Sequence, residues 1–431
     1  MTRDDRSHPA ASHPSSVVAF HDTGGGRMQD SLGNTITTAS REALRRLDDA
    51  IDLHARAWPG ALEAAQEATR EDPELALAHA LQALIHATWA RREAAAAAMQ
   101  RAIELAGRTS ARERSLIELL HHVVQGRTHA GLASLLVHLR RHPADMLALV
   151  PGMGAYGLFA FSGRADHNAL RLELLDELAA HYPPDHPWLL AYRGWARIEA
   201  GAVDEGLSMA LTAIGLQPAN AHNAHIVAHG YHEARRPSEY LDFIAVWGGR
   251  YPDDALLWGH LQWHAALAEL DLDRQDAAVR RCLGPIMSYL ARGAPFMGLA
   301  DATTILWRLG LRGERGLPWA RVGEHVSRHF ANGTNPFGEL HVCMMAAARR
   351  DAAALRASRD RLGRMEREGH LGARAALEWS LALEALMEGD ASAANPHFAA
   401  CEAGAIRLGG SNAQRSIIAA THRAMLVPES T

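Results

Sequence analysis

An all-α, right-handed α-α superhelix of tetratricopeptide-like helical hairpins is the fold this sequence predicts. Three observations lead to it. Ala, Leu and Arg dominate the 431 residues, while strand formers are scarce. Prolines punctuate the chain at intervals close to one helical repeat. Histidines recur at the same interval in the segments that follow those prolines.

Residues 1–36 are rich in Ser, His, Pro and Gly, Gly24-Gly25-Gly26 among them, and hold too little apolar surface to offset the entropy of ordering. A flexible tail is expected there, and a single tetratricopeptide-like α-solenoid over 37–425. Its first helix should open near Thr37, with Ser40 as N-cap and Glu42 in the first turn. Pro73, Pro143, Pro183, Pro218 and Pro252 follow at intervals of 70, 40, 35 and 34 residues. Their settings are alike: Glu71-Asp72-Pro73-Glu74, Arg141-His142-Pro143-Ala144-Asp145, Leu216-Gln217-Pro218-Ala219-Asn220 and Arg250-Tyr251-Pro252-Asp253-Asp254. Each closes one amphipathic run and precedes another, because proline stops a helix but is tolerated where one begins. A period of about 34 residues, or twice that, marks tetratricopeptide repeats. Ala61, Ala65 and Ala68 in one repeat, and Gly194, Gly201, Ala210 and Ala213 in another, stand where paired helices must cross closely. Past residue 280 the proline spacing fades while Ala-rich runs continue, so about eleven to fifteen helices are expected in all.

Composition excludes several classes. Net charge is −5 and the pI about 6.6, which gives no basic field for nucleic acid and no polybasic patch for an anionic membrane. The chain has no lysine, so it has neither the phosphate-binding lysine of a P-loop nor a Schiff-base lysine for pyridoxal chemistry. Cys282, Cys343 and Cys401 are far apart and show no CxxC spacing, which argues against a disulfide framework or thiolate zinc site and for a reducing cytoplasm. No apolar run is long enough for a signal peptide core or a membrane-spanning helix.

The chemistry-bearing residues follow the repeat. His225 and His229 are four residues apart, and so are His260 and His264, 35 residues later. Asp301 and His341 come after further intervals of 37 and 40 residues. An i, i+4 pair shares one helix face, and neighbouring helices pack about 8–10 Å apart, so four imidazoles can converge. Trp263 lies beside them, His222 one turn before and His232-Glu233 one turn after. Three readings stay open. The histidines are satisfied core or groove residues; or His225, His229, His260 and His264 hold a divalent zinc, iron or manganese ion, with Asp301 or Glu233 completing the set; or they do metal-free acid–base chemistry or anion binding with Asp and Arg. No cofactor is required by the sequence, and a divalent metal is the one candidate. Near the C-terminus, Gly409-Gly410 permits a tight turn and Ser411 or Asn412 can cap the next helix, whose free N–H groups with Arg415 suit an anion.

On these segments the chain resembles the tetratricopeptide repeat protein 38 family, from Thr37-Thr38-Ala39-Ser40 to about residue 420. The markers are His225-Ile-Val-Ala-His229, His260-Leu-Gln-Trp263-His264, Asp301 with Leu306-Trp307-Arg308-Leu309, Glu339-Leu-His341, and Gly409-Gly410-Ser411-Asn412-Ala413-Gln414-Arg415. The chain departs from the family pattern at three places. His232 stands where an acidic residue is usual, Glu339 replaces an aspartate, and Ser416 replaces a frequent acidic residue. The resemblance implies a cytoplasmic helical repeat protein and brings no reaction or cofactor with it.

Two functions are therefore expected, and they differ in kind. One is a scaffold that binds a protein or peptide in its groove. The other, preferred, is a concave pocket for a small polar or anionic molecule. His225, His229, His260, His264, Asp301 and His341 are its expected catalytic set. Trp263, His232, Glu233, Arg308, Glu339, Asn412, Gln414 and Arg415 are its expected ligand contacts.

Overall fold

The computed structural model describes residues 27–426, and within them the chain is helical almost throughout. The first helix is Arg41–Ala55, capped by the Ser40 side chain accepting from the Ala43 N–H at 3.1 Å. Twenty-two α-helices run from there to Leu426, more than the eleven to fifteen expected. The surplus lies mostly beyond residue 280, where Asp351, Asp390 and Asn335 cap helices in place of the regular prolines. Sequence neighbours pack as hairpins, among them Arg41–Ala55 with Ala61–Glu71 and Pro187–Glu199 with Val203–Leu216. In the latter pair, a Cβ on Gly194 would stand 2.8 Å from the Gly206 carbonyl oxygen, so the small residue is what lets the helices cross.

The expected tail boundary at residue 36 is too late. Arg27–Gln29 and Thr35–Thr37 form an antiparallel hairpin with Met28 opposite Ile36. Both side chains are buried, and the Asp30 carboxylate accepts from the Leu32 and Asn34 N–H groups to shape the turn. Glu113 then accepts from the Thr37 N–H at 2.9 Å, tying the hairpin to the helices. Two apolar anchors and one Asx turn suffice here, a signal too small for composition to register. The rest of the expected tail, 1–26, lies outside the described residues.

The superhelix coils until distant repeats meet. The Ala221 N–H donates to the Arg56 carbonyl at 3.0 Å, and the Tyr251 hydroxyl donates to the Ala57 carbonyl at 2.7 Å. At the other end the Gly410 N–H donates to the Ala155 carbonyl at 3.1 Å. The last helix, Asn412–Leu426, consequently packs against Ala221–Glu233 and Pro295–Leu311. Gly409 and Gly410 make that return possible, with φ of +86° and +71°. No helix of the described residues is long and apolar enough to cross a membrane.

Candidate functional site

Helix Ala221–Glu233 starts after Pro218, with the Asn220 side chain accepting from the Asn223 N–H at 3.0 Å. That register turns His225 and His229 inward on one face. Helix Trp258–Asp271 brings His260 and His264 to meet them. The rings pack edge to face, with centroids 4.5 Å apart for His225–His229, 4.4 Å for His229–His264 and 4.8 Å for His260–His264. One nitrogen from each of the four lies within 4.8 Å of the others. His225 is 9% exposed and the other three 2% or less.

The hydrogen-bond inventory of this cluster does not close. His225 Nε2 lies 2.8 Å from His229 Nε2 and 2.9 Å from His260 Nε2. An imidazole nitrogen has one in-plane position, filled by a proton or a lone pair, so only one of those two contacts can be a linear hydrogen bond. His229 Nδ1 and both ring nitrogens of His264 are buried with no hydrogen-bond partner. Each such group costs about 1–3 kcal/mol when left unmade. Burial, and then the neighbouring imidazoles, hold His225, His229 and His264 well below the usual histidine range. They are neutral at physiological pH, with lone pairs to give.

Two carboxylates stand behind the imidazoles. Asp301, on helix Pro295–Leu311, faces His260 Nδ1 through Oδ1 at 2.7 Å, and its Oδ2 is buried without a partner. Burial raises the Asp301 carboxyl, against the pull of His260. Glu199, at the end of helix Pro187–Glu199, lies 3.9 Å from His229 Nδ1. Trp263 stacks on His260 at 5.2 Å and is fixed by donating its indole N–H to Thr304 Oγ1 at 2.9 Å. Trp195 closes the other side, 4.7 Å from the His229 ring.

The remaining expected residues divide. Arg308 and His232 flank the chamber. Arg308 donates to Ser416 Oγ at 2.7 Å and to the Ala413 carbonyl at 3.3 Å, and His232 lies 3.9 Å from Asp271. Burial, then Arg308 and Arg235, push His232 to about 4. Glu233 is half-buried, and burial with the nearby Glu199 charge raises it to about 7.

Three expectations are corrected. His341 is not in the cluster: its Nδ1 bonds the Phe337 carbonyl at 2.7 Å and its ring packs on Phe337 at 4.6 Å. Its helix, Pro336–Ala348, is in phase with the repeat, but one repeat further along the superhelix is one layer too far. Glu339 offers nothing to a ligand, because Arg361, Ser358 and the Thr334 N–H already occupy both its oxygens. At the C-terminal turn the anion is part of this chain. The Asn412 N–H donates to Glu199 Oε2 at 3.0 Å, and Arg415 Nη2 lies 3.7 Å from the same oxygen. Asn412 Oδ1 accepts from Arg415 at 2.6 Å, and Gln414 donates to the Tyr156 hydroxyl at 2.6 Å. These residues lock the last helix over the chamber.

Sequence reading missed Glu199, Arg171 and Trp195. A signal existed: Glu199 is an acid in the last turn of its helix, where the helix dipole disfavours it. Arg171 lies over the Trp195 ring at 5.3 Å, and burial lowers its guanidinium to about 10. Two half-enclosed cavities lie elsewhere: one of about 250 Å³ beside Asp30, Asp48 and Arg112, and one of about 710 Å³ beside Arg127, Phe161 and Leu371.

No protein-family model matches the chain. Among solved structures it is similar to the TPR domain of P58(IPK), at 16% identity, over 90% of this chain and 99% of that one, with a TM-score of 0.22. At so low a score the architecture rests on the helix packing described above.

Proposed function

We propose that this chain is a helical repeat protein that holds a divalent first-row transition metal at His225, His229, His260 and His264, as the centre at which a small polar or anionic molecule is bound. The observation that carries it is the unclosed hydrogen-bond inventory of four imidazoles whose nitrogens converge within 4.8 Å. A cation between them takes up lone pairs that have no other partner, and imidazole suits zinc, copper, iron and nickel. Asp301 behind His260 supplies the carboxylate–histidine support that metal ligands commonly have. A metal held there acts as a Lewis acid toward bound water or an anionic group. Acid–base work by the histidines alone fits less well, because their ring nitrogens are aimed at one another. Groove binding of a peptide is also less favoured here, since helix Asn412–Leu426 packs against the His-bearing helix Ala221–Glu233. The histidine motifs shared with the tetratricopeptide repeat protein 38 family extend the proposal to that family. Three buried free thiols favour a reducing, cytoplasmic setting.

Elemental analysis and cobalt titration of the full chain test the proposal. It expects roughly one ion per chain, with d–d bands in the cobalt form, and loss of both in His229→Ala and His264→Ala while His341→Ala retains them. Wild-type protein that takes up no more metal than the folded His264→Ala variant would sink it.

A further inference from the structure

Three arginines surround the His chamber, and they are not equally provided for. Arg171 and Arg415 share Glu199: it lies 3.7 Å from Arg415 Nη2, and its charge acts on both guanidinium groups. Arg415 also donates to the Gly409 and Gly410 carbonyls, at 3.2 and 2.5 Å. Arg308 is different. Its Nη2 donates to Ser416 Oγ and the Ala413 carbonyl, both uncharged acceptors. Its Nη1 is closed off from solvent and has no acceptor. The carboxylate acting on it is that of Asp271, whose side chain is 53% exposed and lies 3.9 Å from His232 Nδ1 instead. Arg308 as a whole is part-buried, but an N–H held away from water with no acceptor carries a cost that a ligand oxygen would relieve.

The place of this orphaned donor matters. His232 follows His229 by three residues on helix Ala221–Glu233, which puts the two on one face about 5–6 Å apart at Cβ. The Arg308 charge is felt at His232, and the His232 charge at His229 and His264. Arg308 and His232 therefore sit at the edge of the chamber, within reach of a molecule whose other end contacts the metal. We propose that this edge is an anion subsite: Arg308 Nη1, with the His232 ring beside it, holds a carboxylate or phosphate group of a small ligand. The planar guanidinium matches the paired oxygens of either group. This rests on the proposed function for what lies at the ligand's other end, but the subsite itself needs no metal.

Calorimetric titration of the full chain with succinate, acetate and inorganic phosphate at constant ionic strength tests it, with metal content measured on the same samples. At least one anion should bind wild type. Arg308→Gln should weaken that binding by about tenfold or more, the value of a charged hydrogen bond. Ser416→Glu, which places a carboxylate against Arg308 from within, should abolish it while keeping the metal content of wild type and a thermal midpoint no lower than wild type's. Which anion binds separates carboxylate from phosphate ligands. Binding lost in both folded variants supports the subsite even if no sample holds metal, in which case only the proposed function falls. No heat with any of the three anions, or binding indifferent to both variants, overturns the subsite whatever the metal content.

Discussion

His260 gives Nδ1 to Asp301 Oδ1 at 2.7 Å and turns its opposite nitrogen, Nε2, toward His225 at 2.9 Å. The carboxylate thereby sets which way the imidazole faces and enriches the nitrogen that points into the chamber. Asp301→Asn keeps the shape and removes the charge. Metal affinity is expected to fall about 10–100-fold, the usual cost of losing such a partner. Competition against a chromophoric chelator measures it; an unchanged affinity would mean that Asp301 serves packing alone.

Glu199 is the counter-ion for two buried arginines. Glu199→Gln leaves Arg171 and Arg415 without it and loosens the Asn412–Leu426 helix that Asn412 anchors. Breaking a buried pair from one side costs about 3–5 kcal/mol. Urea denaturation should show a loss of that order, whereas Glu239→Gln, which removes an exposed partner of Arg236, should leave stability nearly unchanged. Equal effects would remove Glu199 from its structural role.

The C-terminal turn gives a second paired test. Gly410 has φ of +71°, and a Cβ there would stand 2.5 Å from the Phe337 ring. Gly389 has φ of +83° with open space around it. Alanine at either position incurs left-handed strain of about 1–2 kcal/mol; only Gly410→Ala adds overpacking, about 1–3 kcal/mol more. A larger fall in thermal midpoint for Gly410→Ala than for Gly389→Ala is expected, and the reverse order would contradict the described docking of the last helix.

The repeat period was legible up to Pro252 because one constraint, the helix stop at each proline, recurred from repeat to repeat. It carried the four histidines to one place: His225 and His260 stand 35 residues apart in sequence and their nitrogens 2.9 Å apart in space. The same period misplaced His341, because spacing reports phase within a repeat and not how far along the superhelix a layer lies. Glu199 showed only as an acid misplaced at a helix end; its partner was hidden, since helix Asn412–Leu426 returns across more than two hundred residues, a contact no local pattern encodes. The three positions at which the sequence suggested specialisation differ in the structure. Glu339 is a structural tie to Arg361, while His232 and Ser416 both border Arg308.

Stability should decline as pH falls from neutral toward 4, and the histidines decide the direction. Burial lowers His54, His167, His222, His232, His325 and His341 to about 4, and His225, His229 and His264 also fall well below 6.5. A histidine whose folded pKa lies below its unfolded value is protonated first in the unfolded chain. Its contribution is complete above about 6.5 and is lost as pH drops from there toward the folded value. Seven carboxyls oppose this: Asp48 and Glu233 are raised to about 7, and Asp30, Asp52, Glu199, Asp271 and Asp301 are raised as well, so each favours the folded state at low pH and loses that contribution between its ordinary value and its raised one. His79, His86, His121, His142, His186 and His329 are lowered too, and fifteen histidines against seven carboxyls leave the sign with the histidines. Thermal midpoints measured between pH 7.5 and 4.5 are expected to fall steadily, most steeply below about 6.5. A bound metal steepens the trend, because protons compete for the same lone pairs. The fall should therefore be shallower in His229→Ala than in wild type loaded with zinc, and a wild-type midpoint that is flat or rises on acidification would contradict the buried, neutral state of the cluster.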